Sequence, residues 1–170
     1  MNIITQAWLK PQFEAIPSDL KAQPWAVWTA EPRDGKLGKF NKAPRSPKTG
    51  HKIGADKPHL FSTFEEAKAA YGIGEYTGVG VLLTGNGIIG VDIDDCKVTF
   101  ANLPSVKQWV IDAIKQGAYC EQSPSRKGLR LFMHGNLPDK GRKVGALEIY
   151  ADARFLTVTG HVIEITNGCA

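Results

Sequence analysis

The sequence predicts a single α+β domain with a mostly antiparallel sheet and helices packed on one face. Three observations support this fold class. Short runs of β-branched and aromatic residues alternate with glycine-containing turns, and two segments show helical patterns with clear ends. Apolar residues make up 42% of the 170 residues, which is enough for one core. The chain is too short for two full domains, so we expect residues 1–170 to form one.

The first half of the chain predicts a strand, a loop and a helix. Residues 25–29 form the strand, because aromatic and β-branched side chains dominate there. A long loop is predicted over residues 31–60, which contain four prolines and four glycines. Residues 62–66 match a capping box, and they begin a helix that ends before Gly72.

The second half predicts a hairpin, a helix and further strands. Residues 78–84 and 88–94 are β-rich, and the Gly-Asn-Gly between them is a hairpin signal because both residue types tolerate positive φ. A helix is predicted over residues 104–116. Its apolar stripe, which should pack on the sheet, consists of Val106, Trp109, Val110, Ala113 and Ile114. Further strands are expected near residues 118–122, 128–134, 146–150, 155–159 and 162–165.

Several protein classes are disfavoured by composition. No apolar run is long enough to span a membrane, and the first 20 residues are too polar for a signal peptide. The cysteines Cys96, Cys120 and Cys169 are too far apart for a Cys-x-x-Cys zinc site, and their odd number argues against a disulfide framework. We therefore expect a protein of the reducing cytoplasm.

The net charge is +4, and the cations are clustered. Residues 33–57 contain eight Lys or Arg and two Asp, and residues 126–143 contain six Lys or Arg and one Asp. Basic segments interrupted by glycine and proline are typical of loops that approach phosphates or a nucleic-acid backbone. A solvated loop explains either cluster taken alone.

Asp92 and Asp94 form the most informative chemical pattern. They end an apolar run two residues apart, so on a strand both face one side while the neighbouring apolar residues face the other. Two like charges in apolar surroundings need compensation, and oxygen-only ligands favour Mg²⁺ or Mn²⁺ over Zn²⁺. An exposed strand end without metal explains the pair equally well.

Two further segments carry candidate site residues. Residues 123–130 place hydroxyl, cationic and backbone donors in a short loop, which suits phosphate oxygens, although a structural ion pair is the alternative role for Arg130. Glu148 interrupts an apolar strand and alone would face solvent. With Asp92 and Asp94 it would complete a three-carboxylate cluster of the kind that holds two cations about 3.5–4 Å apart.

These motifs, in this order, resemble the catalytic core of the archaeo-eukaryotic primase superfamily, and most closely its primase-polymerase domains from phages, plasmids and prophages. The likeness covers most of residues 22–163. It rests on the apolar strand ending in Asp-x-Asp, Ser-x-Ser-x-x-Gly-Leu-Arg at 123–130, Leu-Glu-Ile-Tyr at 147–150, and Arg-Phe-Leu-Thr-Val-Thr-Gly-His at 154–161. Residues 25–28, 38–44 and 61–67 are similar to the start of such domains.

The resemblance implies a sheet of RNA-recognition-motif type joined to a smaller α/β unit, with the active site between them. It implies template-directed nucleotidyl transfer by a DNA primase or DNA polymerase, with two Mg²⁺ or Mn²⁺ ions held by Asp92, Asp94 and Glu148. The implied partners are a single-stranded DNA template, a primer strand, NTP or dNTP, and a helicase domain or protein. We expect a monomeric domain, in the cytoplasm of a bacterial host, that forms the N-terminal part of a longer replication protein.

The resemblance also assigns binding residues. The implied nucleotide contacts are Ser123, Ser125, Lys127, Arg130, Arg154 and His161, although an exposed turn explains His161 equally well. The basic loop is expected to contact nucleic acid through Lys39, Lys42 and Arg45. Two positions depart from the family: many members have glycine at position 126 and histidine at position 130. Arginine at position 130 can still bind phosphate, but a role specific to imidazole would be lost.

Three other functions compete with this interpretation. A catalytically inactive replicon module would bind single strands in a salt-sensitive, metal-independent manner. A nuclease could use the same acids. A glycosyltransferase could bind the metal of a nucleotide-sugar through Asp-x-Asp, but the chain is short for that fold and the basic clusters would be unexplained.

Overall fold

The computed structural model describes residues 7–139 and 141–164, which form two antiparallel sheets, four α-helices and two short 3-10 helices (Phe13–Ala15 and Pro58–Leu60). The α+β class is confirmed. The helices are α1 (Ser18–Lys21), α2 (Phe64–Gly72), α3 (Cys96–Asn102) and α4 (Pro104–Lys115). The strands are β1 (Trp25–Pro32), β2 (Phe40–Arg45), β3 (Gly78–Thr84), β4 (Ile88–Ile93), β5 (Tyr119–Gln122), β6 (Leu129–His134), β7 (Gly141–Val144), β8 (Leu147–Tyr150) and β9 (Asp152–Val158).

The nine strands of the described residues divide between two sheets. Sheet 1 has the strand order β2-β1-β3-β9, and sheet 2 has the order β5-β6-β4-β8-β7. Neighbouring strands are antiparallel throughout both sheets. Strand β4, which carries Asp92, therefore lies at the centre of sheet 2.

The predicted hairpin of residues 78–84 and 88–94 is wrong. Both strands form, but β3 pairs with β1 and β9, whereas β4 pairs with β6 and β8. Both strands are almost wholly buried, so each is stabilised as an interior strand of its own sheet. Gly85 and Gly87 have φ of +74° and +90°, and this turn takes the chain from one sheet to the other.

The predicted loop over residues 31–60 contains a strand. β1 extends to Pro32, and β2 pairs with it along its whole length. β2 has no β-branched residue and includes Pro44, so its composition does not indicate a strand. It is an edge strand, where proline is tolerated.

Three smaller differences concern elements near the site. The sequence did not indicate α3 or β7, which are short and lack a clear period. The strand expected at residues 162–165 is reduced to a bridge between Val162 and Glu121, and residue 165 lies outside the described residues.

Both predicted helices are confirmed. The capping box of α2 is complete, since the Thr63 hydroxyl accepts from the Glu66 N–H and the Glu66 carboxylate accepts from the Thr63 N–H. Four of the five predicted stripe residues of α4 pack against sheet 2, whereas Trp109 stays 39% exposed. No helix in the described part of the chain has the length and apolar character that crossing a membrane requires.

The two sheets share one apolar core. Ile88 and Phe132 of sheet 2 belong to the same buried cluster as Leu83 and Leu156 of sheet 1. Gly90 marks a close approach, because a Cβ there would collide with the Leu156 and Leu83 side chains. The face of sheet 2 that carries Gly90 therefore faces sheet 1, and α3 and α4 cover the opposite face.

Candidate active site

A row of charged side chains crosses the inner face of sheet 2. The strand register places Glu121 opposite Arg130, Arg130 opposite Asp92, Asp92 opposite Glu148, and Glu148 opposite Lys143. Directly opposed residues in antiparallel strands carry their side chains on the same face. Backbone pairing thus brings together residues that are far apart in the sequence.

Asp92, Asp94 and Glu148 line one cleft of about 910 Å³, together with residues of both sheets. Asp92 and Glu148 are cross-strand neighbours. Asp94 follows the end of β4, and its N–H donates to the carbonyl of Ala146, next to β8 (2.9 Å). Partial burial, and then the charge of Asp92, raise the pKa of Asp94.

Arg130 holds Asp92 from one side. Its Nη2 donates to Asp92 Oδ2 at 3.2 Å, and its Nη1 donates to the carbonyl oxygen of Thr157 at 3.0 Å and to the Thr157 hydroxyl. The Arg130 side chain is only 3% exposed, and that of Asp92 is 14% exposed. Asp92 Oδ1 is buried and accepts no hydrogen bond from the described residues. One carboxylate oxygen of Asp92 is therefore fixed by Arg130, and the other has no donor among residues 7–139 and 141–164.

Glu148 is held by cations at both oxygens. Oε1 pairs with Lys143 Nζ, and Oε2 accepts from Arg154 Nη2 at 2.6 Å and from the Tyr150 hydroxyl at 3.1 Å. Arg154 also stacks over the Tyr150 ring, 4.2 Å from its centroid. Within residues 7–139 and 141–164, no three Asp, Glu, His or Cys side chains form a group that could hold a metal ion. The three predicted acids thus share a cleft, but Glu148 is engaged by its own cations.

Gly128 brings the predicted phosphate-binding loop to the end of β4. A Cβ at Gly128 would collide with the carbonyl oxygen of Ile93. Ser125 and Lys127 of this loop line the cleft. Ser123 is buried outside the cleft lining, and its hydroxyl accepts from the Gly128 N–H at 3.0 Å, which closes the loop.

Lys39 and Lys42 line the cleft, and Arg45 does not. Alternation along β2 puts Lys42 and Arg45 on opposite faces. Arg45 pairs there with Glu31 at 3.1 Å, so it serves a structural ion pair. Burial, and then the charge of Arg130, lower the pKa of Lys42 to about 8.

His161, a predicted nucleotide contact, lies outside the cleft lining. Its Nε2 is 2.8 Å from the carbonyl oxygen of Lys10. The half-buried imidazole therefore contacts the N-terminal segment.

That N-terminal segment, residues 7–12, connects the two sheets. The Leu9 N–H donates to the carbonyl of Pro124 (3.0 Å) in the loop before β6, and the Gln12 N–H donates to the carbonyl of Thr159 (2.8 Å) after β9. No sequence pattern indicated this role, because the segment has neither a strand nor a helix period.

Glu121 is a second residue that the sequence-based analysis did not identify. Its buried carboxylate accepts from the N–H groups of Thr159 (2.9 Å) and Gly160 (2.8 Å) and from the Tyr119 hydroxyl (2.8 Å). Burial raises the pKa of Glu121 to about 7, although these donors act in the opposite direction. A lone acid that directly follows the apolar residues Ala118, Tyr119 and Cys120 in a predicted strand is the signal that could have found it.

The cleft is strongly cationic. Its lining includes eight Lys or Arg and four Asp or Glu, an excess of four positive charges. Such a cleft suits a polyanionic ligand. The cations are Arg33, Lys36, Lys39, Lys42, Lys127, Arg130, Lys143 and Arg154.

Comparison with known proteins agrees with the sequence motifs. No protein-family model matches the chain. The chain is 30% identical to a DNA primase-polymerase of Nitratiruptor phage NrS-1, in an alignment that covers 90% of this chain. It spans about a fifth (21%) of the length of that protein. The chain is therefore related to part of a phage DNA primase-polymerase.

Proposed function

We propose that this chain is the catalytic domain of a phage or plasmid replication protein and performs metal-dependent, template-directed nucleotidyl transfer as a DNA primase or DNA polymerase. One observation carries the proposal: Asp92, Asp94 and Glu148 share a cleft that has an excess of four positive charges. Similarity to a phage DNA primase-polymerase supports the same chemistry. We further propose that the two sheets correspond to the sheet of RNA-recognition-motif type and the smaller unit of the primase core.

The acids fit Mg²⁺ or Mn²⁺ in part. Asp92 Oδ1, to which no described residue donates, and the exposed Asp94 carboxylate supply the hard oxygen ligands that these ions prefer. Glu148 would join them once Lys143 releases its Oε1. Lys143 is suited to this, because its side chain is 57% exposed and lies on an edge strand. We propose that these three acids hold two ions.

Bound Mg²⁺ supplies activation of a primer 3′-hydroxyl and neutralisation of charge on the leaving pyrophosphate. The protein supplies the rest. Arg130 orients Asp92 through their 3.2 Å contact. Lys127 and Ser125, from the loop that Gly128 holds next to β4, bind the triphosphate. Lys39 and Lys42, which line the same cleft, bind template or nucleotide phosphate.

A catalytically inactive module that binds single-stranded nucleic acid is the second candidate. The engagement of both Glu148 oxygens by Lys143 and Arg154 favours it, because a carboxylate held by two cations is a poor metal ligand. This candidate predicts binding that falls with salt and does not respond to EDTA.

Incorporation of labelled dNTPs and NTPs on a single-stranded template, with and without an annealed primer, tests the proposal. We expect products that follow the template sequence, require Mg²⁺ or Mn²⁺ and disappear in Asp94→Asn. Asp112→Asn is the matched control, since Asp112 lies on α4 outside the cleft lining and should keep full activity. Strand binding without incorporation would identify the binding module, and shortening of the primer would identify a nuclease.

A further inference from the structure

The cleft has an aromatic wall next to its cations. Alternation along β2 places Phe40, Lys42 and Pro44 on one face, and all three line the cleft. The charge of Lys42 interacts with those of Asp92 and Arg130. Phe40 is two residues along the same strand, about 7 Å from Lys42, given a rise of about 3.3 Å per residue. The aromatic ring of Phe40 thus lies close to the charged side chains of Lys42, Asp92 and Arg130.

Trp8 extends this wall toward the phosphate-binding loop. Its ring centroid is 5.4 Å from that of Phe40 and 5.4 Å from that of Trp28, both in edge-to-face geometry. Trp28 is 1% exposed, so it anchors Trp8 to the core. The neighbouring Leu9 N–H donates to the Pro124 carbonyl, which sets Trp8 beside the loop that carries Ser125 and Lys127. The half-buried Trp8 also lines the cleft.

We propose that Trp8, supported by Phe40, binds the base of the nucleoside triphosphate whose phosphates occupy the cationic part of the cleft. The inference rests on the proposed nucleotide-binding function and names the residues that recognise the base. Stacking on an aromatic ring is tolerant of base identity, because every base has a π-face. A template-directed enzyme needs this tolerance, since it must accept four bases at one site. The aromatic contact with Trp28 holds the ring in place before the nucleotide arrives, which lowers the entropic cost of binding.

A purely structural role for Trp8 makes a different prediction. If Trp8 only covers Trp28, its loss should weaken the binding of any triphosphate equally, with or without a base. If Trp8 binds the base, its loss should affect only ligands that carry one. The two roles are therefore separated by comparing dATP with inorganic tripolyphosphate.

The experiment measures the dissociation constants of dATP and tripolyphosphate, with Mg²⁺, for the wild type, Trp8→Ala, Trp8→Phe and the control Trp109→Ala. We expect the wild type to bind dATP about tenfold more tightly than tripolyphosphate, the factor that about 1.4 kcal/mol of stacking provides. The ratio should fall to about one in Trp8→Ala and persist in Trp8→Phe and Trp109→Ala. dATP should also quench tryptophan emission in the wild type but not in Trp8→Phe.

Each outcome separates the base-binding role of Trp8 from a purely structural one. A wild-type ratio of one, or an unchanged ratio in Trp8→Ala, overturns the base-binding role while the proposed nucleotide site stands. If the wild type binds neither ligand, the proposed function fails and the base site fails with it. Should Trp8→Ala not fold, the wild-type ratio and the quenching in the wild type and Trp8→Phe still decide, since both proteins keep an aromatic ring at this position. Equal quenching of these two proteins by dATP contradicts the proposal.

Discussion

An alanine substitution at Asp92 should destabilise the protein and one at Asp94 should not, although we propose both residues as metal ligands. Like-charge repulsion alone predicts that removing either acid leaves the fold intact. The structure changes this expectation for Asp92, because its Oδ2 is 3.2 Å from the guanidinium of Arg130, whose side chain is 3% exposed. Asp94 is the more exposed of the two acids. Incomplete solvation of its carboxylate, followed by the charge of Asp92, raises the pKa of Asp94, so its negative charge is disfavoured in the folded state.

The expected magnitudes follow from these contacts. A hydrogen bond to a charged group contributes about 1.5–3 kcal/mol, and removing one partner of a buried ion pair costs about 3–5 kcal/mol. In Asp92→Ala, Arg130 keeps its hydrogen bonds to Thr157 and the nearby carboxylate of Glu121. We therefore expect the free energy of unfolding to fall by an amount near the lower end of these ranges, about 2 kcal/mol. For a chain of this size that lowers the midpoint of thermal unfolding by about 4–8 °C. Asp94→Ala should stay within about 0.5 kcal/mol of the wild type, as exposed substitutions usually do.

Thermal and urea unfolding of the wild type, Asp92→Ala and Asp94→Ala, each in EDTA and in Mg²⁺, test this reasoning. In EDTA only Asp92→Ala should be destabilised. Mg²⁺ should stabilise the wild type by mass action and should stabilise neither variant. An Asp92→Ala midpoint equal to that of the wild type in EDTA would refute the structural ion pair. Equal stabilisation of Asp94→Ala and the wild type by Mg²⁺ would remove Asp94 from the proposed metal site.

Three other substitutions test separate parts of the structure. Arg126→Gly should raise the free energy of unfolding in urea titrations by about 0.5 kcal/mol. A φ of +67° strains a non-glycine residue, and the greater freedom of glycine in the unfolded chain offsets part of the gain from relieving that strain. A lower urea midpoint than that of the wild type would contradict this. The folded-state pKa of Glu121, about 7, exceeds the ordinary value of 4.5, so the free energy of unfolding of the wild type should decline by at most about 3 kcal/mol as pH rises from 4.5 to 7. Glu121→Gln should abolish this decline. A difference in unfolding free energy between the two proteins that stays constant with pH would refute the prediction. Lys39→Ala should reduce the log–log salt slope of single-stranded DNA binding by about 0.7, because Lys39 lines the cleft. Arg45→Ala should leave the slope unchanged and cost up to about 1 kcal/mol of stability, because Arg45 lies outside the cleft lining and pairs with Glu31; equal slopes for the two variants would contradict this difference in placement.

Sequence patterns predicted the features that depend on neighbouring residues. The capping box of α2 could be identified because its two partners are three residues apart. Alternation in β6 correctly placed Leu129 and Leu131 opposite to Arg130, since a strand has a fixed period of two. Turn chemistry indicated the turn at residues 85–87, but it does not specify strand partners. The same glycines serve a crossing between sheets, and the burial of β3 and β4 on both faces is the signal against a simple hairpin.

Sequence motifs predicted the candidate site residues, but not the contacts between them. Spacing put Asp92 on a polar face, but its proximity to Glu148 followed from a family resemblance, because cross-strand register is not a local property. The cation pairs of Glu148 could not be predicted for the same reason. Lys143 lies on a strand with no β pattern, and Arg154 reaches Glu148 from the other sheet. Sequence chemistry likewise does not show how Ser123 is used, since its hydroxyl suits phosphate but accepts a hydrogen bond from Gly128 within its own loop.

The charges in the row of side chains across sheet 2 (Glu121, Arg130, Asp92, Glu148 and Lys143) nearly balance, which explains why the cleft is stable before any ligand binds. The row holds three acids and two cations, a net charge of −1, and Arg154 from sheet 1 brings the sum to zero. Asp94 and Lys42, which interact electrostatically, add one charge of each sign. Asp92 and Glu148 each lie next to a cation, so the fold does not need a metal to offset the repulsion between them. Two divalent cations would add four positive charges to this neutral centre, which an incoming triphosphate is suited to balance. We therefore expect metal and triphosphate to enter the cleft together, with the phosphates drawing Lys143 and Arg154 away from Glu148 and freeing its carboxylate.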